Sequence, residues 1–87
     1  MPIPRKRTDN YIATEVDGEI VLIDLDGGEL FSLKGTGRAV WELIDGKRDR
    51  SRIVAALAET FDAGQSELES DLDDLLADLS DAGLVEV

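Results

Sequence analysis

Hydrophobic and polar positions follow two different periods along this chain, and the change falls near its middle. Tyr11 to Val16 is rich in β-branched and aromatic residues and stops at Asp17-Gly18, where a glycine free to take positive φ marks a hairpin. The apolar run Ile20 to Leu25 meets Asp26-Gly27-Gly28, and Glu29 to Lys34 follows as a third short run. Runs of this length joined by such turns predict a three-stranded antiparallel meander. Ahead of it, residues 1 to 10 hold both prolines, the triplet Arg5-Lys6-Arg7 and no period, which predicts a flexible basic N-terminal arm (1–10) before one domain (11–87).

After Gly35 the spacing becomes helical. Thr36 is the expected N-cap of a first helix whose apolar face is Val40, Trp41, Leu43 and Ile44, closed by Asp45-Gly46. Ser51 is placed to cap a second, carrying Ile53, Val54, Leu57 and Phe61 and ending near Asp62-Ala63-Gly64. In the third, Ser66 and Glu69 have the spacing of a capping box, and leucines follow at 68, 72, 75, 76 and 79 before Gly83 supplies a stop. Leu84 to Val87 reads as a short extended tail. The order βββααα with short connections predicts an α+β, winged-helix-like domain in which the strands come first.

At 87 residues the chain has room for one domain with a modest core, and 43 % hydrophobic residues are enough to form it. It contains no Cys and no His, which removes disulfides, thiolate nucleophiles, the usual zinc sites and imidazole acid-base chemistry. No apolar run is long enough for a membrane span or a signal peptide, so a cytoplasmic protein is expected. The net charge of −11 is unevenly placed: all nine basic residues lie before position 53, while the ten acidic residues after it have no basic neighbour in the sequence. Such a surface repels phosphate backbones and favours a basic or neutral partner.

Candidate chemistry is sparse. Asp24-Leu25-Asp26-Gly27-Gly28-Glu29 has the look of a calcium loop, but with Asp24 first, the fifth, sixth and twelfth positions are Gly28, Glu29 and Gly35, which fails the pattern; a hairpin turn is expected instead. Asp71, Asp74 and Asp78 pair along the third helix, yet an exposed acidic face offers no difference in environment to split two pKa values. Lys34-Gly35-Thr36-Gly37 has half of a phosphate loop, with its lysine on the wrong side of the glycines. A winged helix invites DNA binding, but the third helix carries seven acids from Glu67 to Asp81 and no base, which excludes nucleic acid there. Neither a catalytic group, a metal site nor a cofactor is indicated, and an interaction module is left.

The stretch Ile23-Asp24-Leu25-Asp26-Gly27-Gly28-Glu29-Leu30-Phe31-Ser32-Leu33-Lys34-Gly35-Thr36-Gly37, followed by Val40-Trp41-Glu42-Leu43-Ile44-Asp45-Gly46, resembles the PqqD-like family over about residues 11 to 85. An aromatic-x-Leu strand, Gly-Thr-Gly and a Trp-containing helix carry the resemblance, with Lys34 standing where the family usually has Asn. It implies a non-catalytic chaperone that takes the leader segment of a ribosomally made precursor peptide as an added strand along the third strand, in a groove walled by the third helix. It also implies delivery to a maturation enzyme such as a radical-SAM protein, a cyclase or a leader protease. The residues permit this: the third strand of a meander is an edge, and Glu29, Leu30, Phe31, Ser32, Leu33 and Lys34 include no proline, so their main-chain groups can template another strand. The alternatives are an edge protected by Glu29 and Lys34, or one paired in a homodimer. Other classes are a winged-helix docking or dimerisation module without a peptide role, and an acidic carrier protein. The carrier lacks its serine at an Asp-Ser-Leu helix start.

On the third helix, about 100° per residue places Leu68, Leu72, Leu75 and Leu79 in a narrow stripe expected to face the core, with Leu76 on its flank. A peptide groove on this helix would then have Leu76 and the adjoining side of Leu72 as its apolar floor, with Glu69 and Asp73 as a rim for basic leader residues. Otherwise Leu76 widens the core stripe.

Overall fold

The β-type runs become strands because two turns hold them in register. In the computed structural model, which describes residues 3 to 86, the elements in chain order are β1 Arg5–Lys6, β2 Tyr11–Val16, β3 Glu19–Asp24, β4 Leu30–Leu33, α1 Thr36–Leu43, α2 Arg50–Thr60, α3 Gln65–Asp81 and β5 Val85–Glu86. Asp17 and Gly18, at φ 51° and 82°, turn β2 into β3 with the positive dihedrals that match strand twist. From β3 to β4 the Asp24 carboxylate accepts from the N–H groups of Asp26 (3.0 Å) and Gly27 (3.2 Å), while Gly28 N–H reaches the Asp24 carbonyl at 2.8 Å. A Cβ on Gly27 would lie 2.9 Å from that carboxylate and would push it off its place in the turn. The acidic loop is thus a hairpin turn.

The sheet runs β2-β3-β4, antiparallel throughout, with Tyr11 opposite Asp24, Ala13 opposite Leu22 and Leu22 opposite Phe31. One face bears Leu22 and Leu33, both buried, against Val40, Trp41 and Ile44 of the α1 segment. Beneath them lie Ile53, Val54 and Leu57 of α2 and the leucines of α3, all in one apolar cluster. The arrangement is α+β, three antiparallel strands followed by three helices. Among the described residues no helix is long and apolar enough to cross a membrane.

Three helix starts differ from expectation by one or two residues. Gly35 precedes α1, so Thr36 is its first helical residue and not its cap. Asp49, not Ser51, caps α2, accepting from Arg52 N–H at 3.0 Å; two residues able to cap stand close together, and use of the earlier one lengthens the helix. α3 begins after Gly64 with no side-chain cap, which puts Ser66 inside the helix and frees Glu69 for another partner.

The largest departure is at the basic N-terminal segment, which is not a free arm. Arg5 and Lys6 pair with Glu86 and Val85, Arg7 N–H donates to the Leu84 carbonyl (2.9 Å), and Asn10 Nδ2 donates to the Gly83 carbonyl (3.2 Å). Lys6 Nζ stands 4.6 Å from the Trp41 ring centroid, and Tyr11 meets the same indole edge-on at 5.2 Å. Burial of its stem holds the Lys6 amine below the ordinary lysine range, opposed by the charges of Glu42 and Asp45. A two-residue strand paired with the far end of the chain leaves no local period for sequence to show. Met1, Pro2 and Val87 lie outside the described residues.

Candidate functional site: an open strand edge beside an acidic helix

Among the described residues β4 bonds to β3 on one side and to no strand on the other. Asp24 N–H donates to the Glu29 carbonyl at 2.9 Å, so by strand alternation Glu29, Phe31 and Leu33 turn their main-chain groups toward β3. Leu30 and Ser32 therefore direct both N–H and C=O outward. The Ser32 hydroxyl donates to Glu19 at 3.4 Å, an exposed contact that does not occupy its main chain. Leu30 is 62 % exposed, and Lys34 and Glu29 flank the strand in solvent. Gly35, at φ 56°, breaks the strand before α1 begins.

α3 runs along this edge. Glu29 and Phe31 line a cleft of about 370 Å³ with Asp78, Asp81 and Ala82 near the C-terminal end of α3. Further along, Leu33 and Leu75 converge: their Cδ2 atoms lie 3.8 and 4.0 Å from a Cβ position on Gly37. Phe31 and Leu75 are half-buried, giving this side an apolar floor with carboxylates above it.

The expected groove residues divide accordingly. Leu30 to Leu33 form the edge, with Glu29 and Lys34 at its ends. Leu76 is only 9 % exposed and Leu72 is fully buried; both belong to the core. Leu75, expected inside, is the half-buried leucine beside Leu33, one step along α3 from the cleft. The stripe is rotated because α3 packs on α2 as well as on the sheet side, so its buried centre shifts toward the Leu76 flank. Glu69 and Asp73 lie on that flank too: Arg50 of α2 grips Asp73 at 2.7 and 2.9 Å and Glu69 at 3.5 Å. They tie two helices together and do not rim the strand edge. Asp78 and Asp81 take that place. Sequence reasoning missed Arg50, although a basic helix start at Arg50 and Arg52 ahead of two acids spaced i, i+4 on the next helix is a legible signal.

Hydrogen bonding from Arg50, opposed by some desolvation, holds the Asp73 carboxyl below the ordinary aspartate range. A folded value below the unfolded one stabilises the protein fully above about pH 4, and the contribution vanishes as pH falls through the folded value. Asp73→Asn should lower the melting temperature at pH 7 and remove part of its fall below about pH 4. Paired melting curves across that range check both signs.

The sequence and fold have known counterparts. The model of the family described as coenzyme PQQ synthesis protein D matches residues 19–85. A solved structure described as TbiB1 in complex with the TbiA(beta) leader peptide superposes with a TM-score of 0.82 at 28 % identity, covering 94 % of each chain. Another, a lasso peptide synthetase B1 complexed with the leader peptide, superposes at 0.84 with 19 % identity over 99 % of this chain and 100 % of that one, a likeness of fold. No curated protein sequence matches the chain. An antiparallel sheet with one open edge beside its third helix, and a sequence that fits the family model from β3 through β5, make this chain a member of the PqqD family.

Proposed function

We propose that this protein binds the leader segment of a ribosomally made precursor peptide as a fourth strand on β4 and presents it to a maturation enzyme without itself doing chemistry. The outward main-chain groups of Leu30 and Ser32 beside the α3 cleft carry this proposal, since a peptide strand satisfies both at once. Side chains of the added strand on the sheet's inner face meet Phe31 and Leu75, with Asp78 and Asp81 further along the same helix, which favours a leader with apolar anchors and basic flanks. Two structures of similar fold hold leader peptides, which supports the assignment. With no His and no Cys the chain has no evident nucleophile or activated base, so cutting or modification falls to a partner such as a radical-SAM protein, a cyclase or a leader protease.

The test uses a synthetic leader of the short precursor encoded nearest this gene. Amide shifts and exchange protection should concentrate at Leu30 to Leu33 and along the Leu75–Ala82 side of α3. Changes confined to Arg5–Asn10 or to α2, or processing of the precursor by the purified protein alone, would defeat the proposal.

A further inference from the structure

The sheet has a second open edge. Leu25 N–H donates to the Asn10 carbonyl at 2.9 Å, so alternation turns Ile12, Thr14 and Val16 toward β3 and leaves Tyr11, Ala13 and Glu15 with outward N–H and C=O. Among the described residues nothing pairs with this side of β2. Unlike the short β4, it is six residues long, and it carries no proline or lysine to discourage pairing.

We propose that two copies of this chain pair antiparallel through β2, about a dyad at Ala13, forming a continuous six-stranded sheet. The edge is self-complementary in that register: Tyr11 faces Glu15 of the second copy, Ala13 faces Ala13, and about six main-chain hydrogen bonds result. The smallest side chain on the strand stands on the dyad, so the two facing side chains there meet without crowding. Charge also selects this edge in a molecule of net charge −11. Arg38 bonds Glu15, Glu42 (2.8 Å) and the Gly18 carbonyl (2.6 Å), so the acids under β2 are already held by a cation. The acidic flank of α3 lines the opposite edge, at β4. On the outer face Ile12 and Val16, 56 % and 49 % exposed, lie along the strand that would be joined, and Ile12 would be covered by Thr14 of the second copy. Both β4 edges remain free at the ends of the six-stranded sheet.

The chain has no cysteine, so a single introduced thiol reports the contact. Facing Cα atoms in a hydrogen-bonded antiparallel pair are about 5.5 Å apart, within disulfide range. Ala13→Cys should oxidise to a covalent dimer far faster than Ser32→Cys on the β4 edge. In sedimentation equilibrium the wild type should approach twice its 9.5 kDa mass at high concentration, more readily at about 0.5 M than about 0.05 M salt because like charges are screened. Ala13→Pro, checked by its melting curve, should raise the dimer dissociation constant at least tenfold. A monomer at every salt and concentration, or equal cross-linking at positions 13 and 32, would overturn the pairing. These measurements need no leader, so a failure to bind one leaves them intact; a disulfide-linked Ala13→Cys dimer that takes up one leader per copy supports the dyad, and one that loses leader binding held by the monomer overturns it.

Discussion

Ser32→Pro should abolish leader binding while the domain stays folded. Its N–H points away from β3, so proline removes no bond of the sheet, and prolines are accepted on edge strands for that reason. The hydroxyl's bond to Glu19 also disappears, but it is exposed and weak. An incoming strand forfeits one hydrogen bond and meets the pyrrolidine ring where its own carbonyl should sit, on a platform that offers only two outward residues. A fall in affinity of at least a hundredfold, about 2.7 kcal/mol, is expected by calorimetric titration. Phe31→Pro is the control: its N–H faces β3, and it should damage the sheet and lower the melting temperature. If Ser32→Pro binds as wild type does, the peptide does not lie on β4.

Leu76→Ala and Leu75→Ala should separate folding from recognition. Leu76 is packed in the core, and its truncation should cost about 2–5 kcal/mol, a large share of the stability of a domain this small. A drop of about 4–8 °C per kcal/mol in a chain of this length is the expected reading. Leu75 is half-buried beside Leu33, one step along α3 from the cleft, so its truncation should move the melting temperature little and weaken the leader about tenfold, or 1.4 kcal/mol. Reversal of the two results would return Leu76 to the groove.

The exchange of these two leucines shows where sequence stopped being sufficient. A helical wheel locates the mean direction of a hydrophobic stripe, but α3 packs on α2, α1 and β5 at once, and where those neighbours sit around it decides which flank is buried. Leu75 and Leu76 sit on opposite sides of that mean, and only the packing of α2 through Ile53, Val54 and Leu57 tips the balance. Strands and turns were more legible because Asp17-Gly18 and Asp24 to Gly28 act locally, through backbone dihedrals and carboxylate-to-amide bonds within a few residues. Caps fell between: Asp49 and Ser51 have the same chemistry, and local pattern alone does not rank them. β1 was out of reach, because pairing of Arg5 with Glu86 is specified by neither segment alone. The open edge at β4 came from the meander order itself; the carboxylates beside it did not, since Glu69 and Asp73 differ from Asp78 and Asp81 only in which neighbour the helix turns them toward.

The pairing of β1 with β5 sets Arg5 and Glu86 side by side. Where the first and last of the described strands lie side by side, the order of the elements becomes partly a matter of where the backbone is cut. A circular permutant joining β5 to β1 by a short glycine-rich linker and opening at Asp62-Ala63-Gly64, the connection between α2 and α3, would keep every strand of the three-stranded sheet contiguous. For a protein engineer the same corner is the natural point of attachment, since a domain fused at either side of it approaches the molecule from one place.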